Sequence, residues 1–280
     1  MIAGYAWVTA VDVPADPTHD LGEAAVITRA WADRAVLAGM EWMGRAALRG
    51  LPDPAGAADP PPAVDPDAPV VVVGGFAATA PVMAPVAAVL ARRGHPVTVA
   101  VDGAGTGCAG RAADRLGHRI EALARQSGRR VHLVGHSRGG QFARVAASRA
   151  ADSVASLTTL GSPVGLYGLG PVALGLGAAV TVVGSLGVPG LATISCLVGG
   201  CCRDYRTGLG SRWPDDVPLT RILGSADRTV PGDANHDPAA HEVVIEADHL
   251  ALLTCPAALR AVTDAIDRAE RPGRAAGIAA

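Results

Sequence analysis

The sequence predicts an α/β fold in which a mostly parallel sheet carries helices on both faces. From about residue 70 onward, short runs of β-branched residues alternate with helical stretches, an order typical of parallel strands joined by crossover helices. Some runs, such as VVVV from Val70, are apolar at every position, as in strands buried on both faces. A chain of 280 residues with 49% hydrophobic content can bury such a core within one domain.

The pattern predicts six strands and four helices in this region. The strands are Val70–Val73, Pro96–Val101, Val131–Val134, Ser156–Leu160, Thr220–Leu223 and Glu242–Ile245. The helices are Val82–Arg92, Ala112–Gln126, Gln141–Ala150 and Pro256–Ala269. The main domain therefore spans residues 70–270, and residues 271–280 form a tail.

Residues 1–50 are predicted to form an N-terminal helical extension. Its helix runs from Asp20, a candidate N-cap, to about Gly50, and it carries an apolar stripe suited to docking on the main domain. The stripe consists of Ile27, Trp31, Ala35, Ala38 and Trp42. The following stretch, residues 51–69, contains seven prolines, which prevent regular structure, so it is predicted to be a linker.

The charge distribution and the N-terminal sequence limit the expected binding partners and the expected cellular location. The net charge is −2, and the 24 positively charged residues, all arginine, are spread along the chain, so we expect no nucleic-acid partner. The N-terminus lacks the basic segment and apolar core of a signal peptide, so the expected location is cytoplasmic.

The five cysteines do not form a recognisable framework. Cys108 and Cys255 are predicted to be buried small apolar residues. Cys196, Cys201 and Cys202 are close enough to form a local disulfide or hold a metal, but they lack a second ligand pair at zinc spacing and an intervening histidine. We therefore expect no metal and no cofactor. Pairing of Cys196 with Cys201 or with Cys202, or plain burial, stays open.

The clearest chemical signal is the segment Gly135-His136-Ser137-Arg138-Gly139, which matches G-x-S-x-G. It follows the predicted strand VHLV and precedes the helix QFARVAASRA, which is the context of a nucleophile elbow. Such a turn lifts the serine above the sheet, and side chains two residues to either side would collide with neighbouring backbone. Ser137 is therefore predicted to be a nucleophile, with Gly135 and Gly139 as the elbow glycines.

A serine nucleophile needs a base oriented by an acid, and in this kind of fold these follow in the order Ser, Asp, His. Asp227 and His249 each lie just past the carboxyl end of a predicted strand, the edge where open α/β sheets form their sites. They are the predicted acid and base. His236 and His241 are rival bases and Asp233 is the main rival acid; each lies in a polar loop or before a strand. Asp248 is expected to make a structural hydrogen bond.

These motifs resemble those of bacterial lipases and esterases of the α/β-hydrolase superfamily. The matching segments are VVVVGGF, VAVDGAGTG, VHLVGHSRGG, LTTLGSPVG, GSADRTVP and EADHLALL. The resemblance implies an α/β-hydrolase fold, hydrolysis of carboxylic esters through an acyl-enzyme, and an oxyanion hole formed by the backbone amides of Phe76 and Arg138. Gly74 departs from the pattern, because the family usually has histidine there.

An uncharged stretch suggests what covers this site. Between Asp152 and Arg203 the sequence has no charged residue and no histidine, and residues 163–215 lie where this superfamily inserts a lid. An apolar lid favours a lipid-like ester and peripheral membrane contact, whereas the segment Val172–Val188 is too short to span a bilayer. A thioesterase, an acyltransferase and a non-catalytic membrane-associated module of the same fold are the alternatives.

Overall fold

The computed structural model describes residues 9–10, 61–101, 105–166, 168–232 and 236–271. The predicted N-terminal helix of residues 20–50 and the tail beyond residue 271 lie outside the described residues, as do residues 51–60 of the predicted linker.

One parallel sheet of seven strands forms the centre of the described fold. The strands are β1 (Thr9–Ala10), β2 (Val70–Val73), β3 (Val97–Ala100), β4 (Val131–His136), β5 (Val154–Leu160), β6 (Leu219–Gly224) and β7 (His241–Ile245). Their order across the sheet is β1-β3-β2-β4-β5-β6-β7, and every neighbouring pair is parallel. The predicted parallel sheet is confirmed. β1 has no counterpart among the predicted strands, because two residues carry no readable pattern.

The helices cover both faces of the sheet. They are α1 (Ala80–Arg92), α2 (Ala109–Ser127), α3 (Arg138–Arg149), α4 (Pro171–Ser185), α5 (Ile194–Leu197), α6 (Arg203–Leu209) and α7 (Pro256–Glu270). Val71 and Val73 of β2 pack in one apolar cluster with α2, α3 and α6, whereas Val70 and Val72 pack in a second cluster with α1 and α7. Alternate side chains of a strand point to opposite faces, so an uninterrupted valine run serves both cores.

The described end of the proline-rich stretch lies against the main domain. Residues 61–69 contain neither helix nor strand. The Ala63 amide nevertheless donates to the Arg93 carbonyl at 3.1 Å, and the Asp65 amide donates to Glu270 Oε2 at 2.8 Å. These contacts hold the segment beside the ends of α1 and α7.

The uncharged stretch runs from β5 into an insertion between β5 and β6, where it forms α4 and α5; the insertion continues through the charged helix α6. Most of α4 faces away from the protein core, since Thr181 and Gly184 are its only buried residues. Among the described residues, no helix combines the length and the apolar character needed to cross a membrane.

Candidate active site

Ser137 occupies a strained turn between β4 and α3. It is the residue directly after the strand, with φ 53° and ψ −129°, a left-handed conformation that is costly for a residue with a side chain. Its amide donates to the Leu160 carbonyl at 2.9 Å, which ties the turn to the end of β5. The position is 8% exposed, so Ser137 lies in a recessed place at the carboxyl edge of the sheet.

The glycines around Ser137 are required by close backbone contacts. A Cβ on Gly135 would lie 2.5 Å from Gly140 Cα, and one on Gly139 would lie 2.3 Å from the Val73 carbonyl oxygen. Both distances are shorter than real carbon contacts allow. The turn can therefore pack against α3 and β2 only with glycine at these positions.

Asp227 and His249 form a hydrogen-bonded pair at the same edge of the sheet. Asp227 follows β6, His249 follows β7, and Asp227 Oδ2 lies 2.7 Å from His249 Nδ1. The other carboxylate oxygen, Oδ1, accepts hydrogen bonds from the amides of Thr229 and Val230, both at 2.8 Å. The loops themselves are joined, because the Ala226 amide donates to the Ala247 carbonyl at 3.2 Å.

The environment of Asp227 favours its ionised form. Burial alone would raise the pKa of this carboxyl, but the hydrogen bond and charge of His249 and the two backbone donors outweigh burial and hold the pKa below its usual range. A carboxylate facing Nδ1 fixes the proton on that nitrogen and leaves Nε2 as an acceptor.

Two further residues position His249. His136, directly before Ser137, lies with its ring centroid 4.7 Å from that of His249, and its Nε2 is 3.0 Å from the His249 carbonyl oxygen. Burial, together with the nearby His249, lowers the pKa of His136 to about 3, so the ring is neutral near pH 7 and can donate to the carbonyl. Gly161 has φ 50°, and a Cβ there would lie 2.9 Å from Asp227 Oδ2 and 3.1 Å from His249 Nδ1.

The two amides implied for the oxyanion hole lie in segments that touch. A Cβ on Gly75 would lie 2.8 Å from the Arg138 amide nitrogen, so the residue before Phe76 packs directly on the elbow. Arg138 is the first residue of α3, where backbone N–H groups lack partners within the helix and favour negative charge. Gly74 has no room for the family's histidine, since its Cβ would meet Ala78 Cβ and Val101 Cγ1, each at 2.9 Å.

Comparison with known proteins agrees with this architecture. Residues 68–174 match a family model described as the alpha/beta hydrolase fold. The chain has the α/β-hydrolase fold. A search of curated proteins found no significant match.

Several solved structures share the fold at low sequence identity. The mature lipase BlEst2 of Bacillus licheniformis superposes with a TM-score of 0.54 and 18% identity, over 74% of this chain and 96% of that one. The monoacylglycerol lipase of Paleococcus ferrophilus gives a TM-score of 0.50 and 16% identity, over 72% and 96%. A metagenomic carboxyl esterase gives 0.52 and 15%, over 80% and 81%.

The rival residues have other surroundings in this α/β-hydrolase fold. His236 is exposed and lies 3.0 Å from Glu242 Oε2, and His241 begins β7 at the edge opposite to His249. His241 thus belongs to the strand rather than preceding it, contrary to expectation. Asp248 accepts from the amides of Leu250 and Ala251. Asp233 lies outside the described residues.

The insertion reaches across the edge that holds Ser137. At its start, the Gly170 amide donates at 2.8 Å to the Thr229 carbonyl in the loop after β6 that carries Asp227, called the acid loop below. Beyond α4, the Ala192 amide donates to the Thr106 carbonyl, also at 2.8 Å. The segment around Thr106 is also held by Arg138, whose Nη1 and Nη2 donate to the carbonyls of Gly105 and Gly107 at 2.5 and 3.1 Å.

The cysteines differ from the sequence-based expectation. All five are free thiols, so Cys196 is bridged neither to Cys201 nor to Cys202. Cys108 is buried, but it is not an isolated apolar residue, because its Sγ lies 3.5 Å from that of Cys201 and 3.4 Å from that of Cys202. Four sulfurs therefore meet where the sequence suggested at most three.

Sequence reasoning missed the positioning roles of His136 and Gly161. The motif contained His136, but only the folded chain shows its ring against His249. Gly161 belongs to the quoted segment LTTLGSPVG, and a glycine directly after a strand that neighbours the elbow strand was a usable signal.

Proposed function

We propose that this protein is a serine hydrolase that cleaves carboxylic esters of lipid-like substrates through an acyl-enzyme. The observation that carries the proposal is the Asp227–His249 hydrogen bond of 2.7 Å at the same sheet edge as a serine in a strained elbow, whose neighbour His136 packs on His249. A structural turn has no need for that combination, whereas a nucleophile with its base and acid requires it.

The proposed reaction begins when Ser137 Oγ attacks the ester carbonyl carbon. His249 Nε2 takes the serine proton, and the ionised Asp227 stabilises the imidazolium that forms. The carbonyl oxygen becomes an oxyanion near the amides of Phe76 and Arg138, each of which would lower the barrier by about 3 kcal/mol. The C–O bond to the alcohol breaks as His249 returns the proton to the leaving oxygen. Water then attacks the acyl-enzyme by the same steps.

The surface of α4 supports a lipid-like substrate. Seven large apolar side chains on or just after this helix are between 39% and 87% exposed, which is unusual for a surface that faces only water. They are Val172, Leu174, Leu176, Val182, Val183, Leu186 and Val188. Because the insertion reaches from the acid loop to the segment around Thr106, we propose that this surface contacts acyl chains or a lipid surface near Ser137.

The test of this function is hydrolysis of p-nitrophenyl esters from acetyl to palmitoyl, with labelling by a fluorophosphonate probe. The wild type should be labelled, and its kcat/KM should rise with acyl length. Ser137→Ala should lose labelling and at least about 10⁴-fold in kcat. Ser225→Ala removes an exposed hydroxyl in the acid loop and should leave both unchanged. Undiminished labelling of Ser137→Ala would exclude Ser137 as the nucleophile.

A further inference from the structure

The strongest feature outside the candidate active site is a cluster of four cysteine sulfurs. The Sγ atoms of Cys108, Cys196, Cys201 and Cys202 all lie within 4.8 Å of one another. Cys108 directly precedes α2, Cys196 lies in α5, and the other two lie in the short 3₁₀ turn Gly200–Cys202. The cluster therefore joins the insertion to the sheet domain.

We propose that these four cysteines bind one Zn²⁺ ion in a tetrahedral four-thiolate site. Four of the sulfur–sulfur distances are 3.4 Å (108–202), 3.5 Å (108–201), 3.6 Å (196–201) and 3.9 Å (201–202). Zn–S bonds of about 2.3 Å around a tetrahedral ion place the sulfurs about 3.8 Å apart. The cluster thus already has the size of a zinc tetrahedron, and tetrahedral all-sulfur coordination is characteristic of zinc.

Two disulfides are the main competing arrangement. They would bring two pairs of sulfurs to about 2.05 Å and separate these pairs from one another. Here Cys201 lies at similar distances from Cys108, Cys196 and Cys202, so the sulfurs are arranged around a shared centre rather than in pairs. An iron–sulfur cluster would place iron and sulfide between the cysteines and need wider spacing than this cluster has.

The surroundings supply the hydrogen bonds that support a thiolate site. The Thr193 amide donates to Cys196 Sγ at 3.5 Å, and the Gly110 amide donates to Cys202 Sγ. Gly110 lies directly against the cluster, since a Cβ there would be in ordinary contact with Cys202 Sγ at 3.6 Å and with Cys108 Sγ at 3.9 Å. Backbone donors to ligand sulfur are a common second layer of metal sites.

Metal binding is chemically balanced and accessible in this arrangement. Each thiol loses one proton to solvent as its Zn–S bond forms, so no oxidant or reductant is required. Three of the cysteines are buried and Cys201 is exposed, which gives the ion a route to the site. The site could not be predicted from sequence spacing, because Cys108 lies far upstream of the other three ligands.

The ion would brace the segment beside the elbow. Cys108 directly follows Gly105–Gly107, the residues whose carbonyls accept from the Arg138 guanidinium. Fixing Cys108 to the insertion would hold this segment against the residue after Ser137. The zinc site itself does not depend on the proposed esterase activity, and its test measures metal rather than turnover.

The experiment measures metal bound by the full chain, purified with reductant and reconstituted with Zn²⁺ alone. Zinc is quantified by mass spectrometry and by its release when a mercurial reagent blocks the thiols. Wild type and Cys255→Ser, which alters the one cysteine outside the cluster, should each hold one Zn²⁺ per chain. Cys108→Ser should hold at least about tenfold less.

A second variant tests whether zinc is lost without loss of the fold, and a second metal tests the coordination geometry. Cys201→Ser changes an exposed side chain and should also lose zinc, with an unchanged circular dichroism spectrum. Co²⁺ added to wild type should give the absorption bands of tetrahedral thiolate coordination, and these should be absent in Cys201→Ser. Less than a tenth of an equivalent of zinc in reconstituted wild type would overturn the proposal. So would equal zinc in wild type and Cys201→Ser, or one equivalent of iron instead. A single titratable thiol in a denatured sample purified without reductant would indicate two disulfides and would also overturn the proposal.

Discussion

At the scale of single residues, a substitution of Asp227 tests whether its carboxylate orients His249 or only lies near it. Replacing it with Asn keeps the shape but removes the charge and the acceptor that fixes the proton on His249 Nδ1. We expect Asp227→Asn to lower kcat by about 10⁴-fold. Asp248→Asn is the matched control, because Asn can still accept from the amides of Leu250 and Ala251. Ester-hydrolysis kinetics on both variants test this, and equal losses would argue against Asp227 as the orienting acid.

Gly161 allows a second prediction at this scale, because the chain contains a closely matched glycine. Gly161 and Gly128 have φ of 50° and 65°, so alanine carries a similar backbone cost of about 1–2 kcal/mol at either position. Only at Gly161 would the new Cβ meet Asp227 and His249, whereas nothing lies within 4 Å at Gly128.

We therefore expect Gly161→Ala to lower kcat by about 100-fold, since small displacements of reacting groups have large effects, and Gly128→Ala to leave kcat within about twofold. Thermal unfolding should show that both variants are destabilised, Gly161→Ala more strongly, because only its new Cβ also collides with neighbouring side chains. A normal kcat in Gly161→Ala would show that the Asp227–His249 pair tolerates displacement.

At the scale of elements, α4 is the helix whose exposure the fold does not explain. A helix that is apolar on most sides is usually buried in a core or in contact with lipid. Here the residue before it is tied to the acid loop and the segment after it is tied to Thr106, while Val183, at 42%, is among its exposed side chains. Its apolar surface is therefore available near the candidate active site.

A charge on α4 tests whether this surface meets the substrate. Each methylene transferred from water contributes about 0.8 kcal/mol, so Val183→Asp should lower the palmitoyl-to-acetyl ratio of kcat/KM by at least about tenfold. Val64→Asp is the matched control, because Val64 is 47% exposed and lies in the segment held against α1. Equal losses on both esters with lost cooperativity of unfolding would assign Val183 to the core, and an unchanged ratio would remove the support for acyl contact.

At the scale of the whole molecule, the sequence predicted those features that depend on residues close together in the chain. The six strands from Val70 onward and the elbow of Ser137 were readable because each rests on a short run and its flanking glycines. The cysteine cluster and the fit of Gly161 against Asp227 and His249 depend on segments far apart in sequence. No local period encodes such contacts, so only the folded chain shows them.

The acid sensitivity of folding is a whole-molecule property to which His136 should contribute strongly. Its pKa falls to about 3 in the folded protein, mainly through burial, against about 6.5 in an unfolded chain. Between these values the unfolded state binds more protons, so the contribution of His136 to stability is complete above about pH 6.5 and is lost as the pH falls toward 3. His95, whose pKa burial also lowers, acts in the same direction.

His136→Gln isolates this contribution, because glutamine is uncharged throughout this range and can still donate to the His249 carbonyl. Urea unfolding from about pH 7.5 to about pH 4.5 should show wild type losing about 3 kcal/mol more than the variant, with a slope difference of up to about 1.4 kcal/mol per pH unit. His95 and any acid-labile metal site affect both proteins alike, so the difference between the two profiles reports His136. Parallel profiles would mean that this ring takes up its proton equally in the folded and unfolded states, and the neutral donor to the His249 carbonyl would then have to be abandoned.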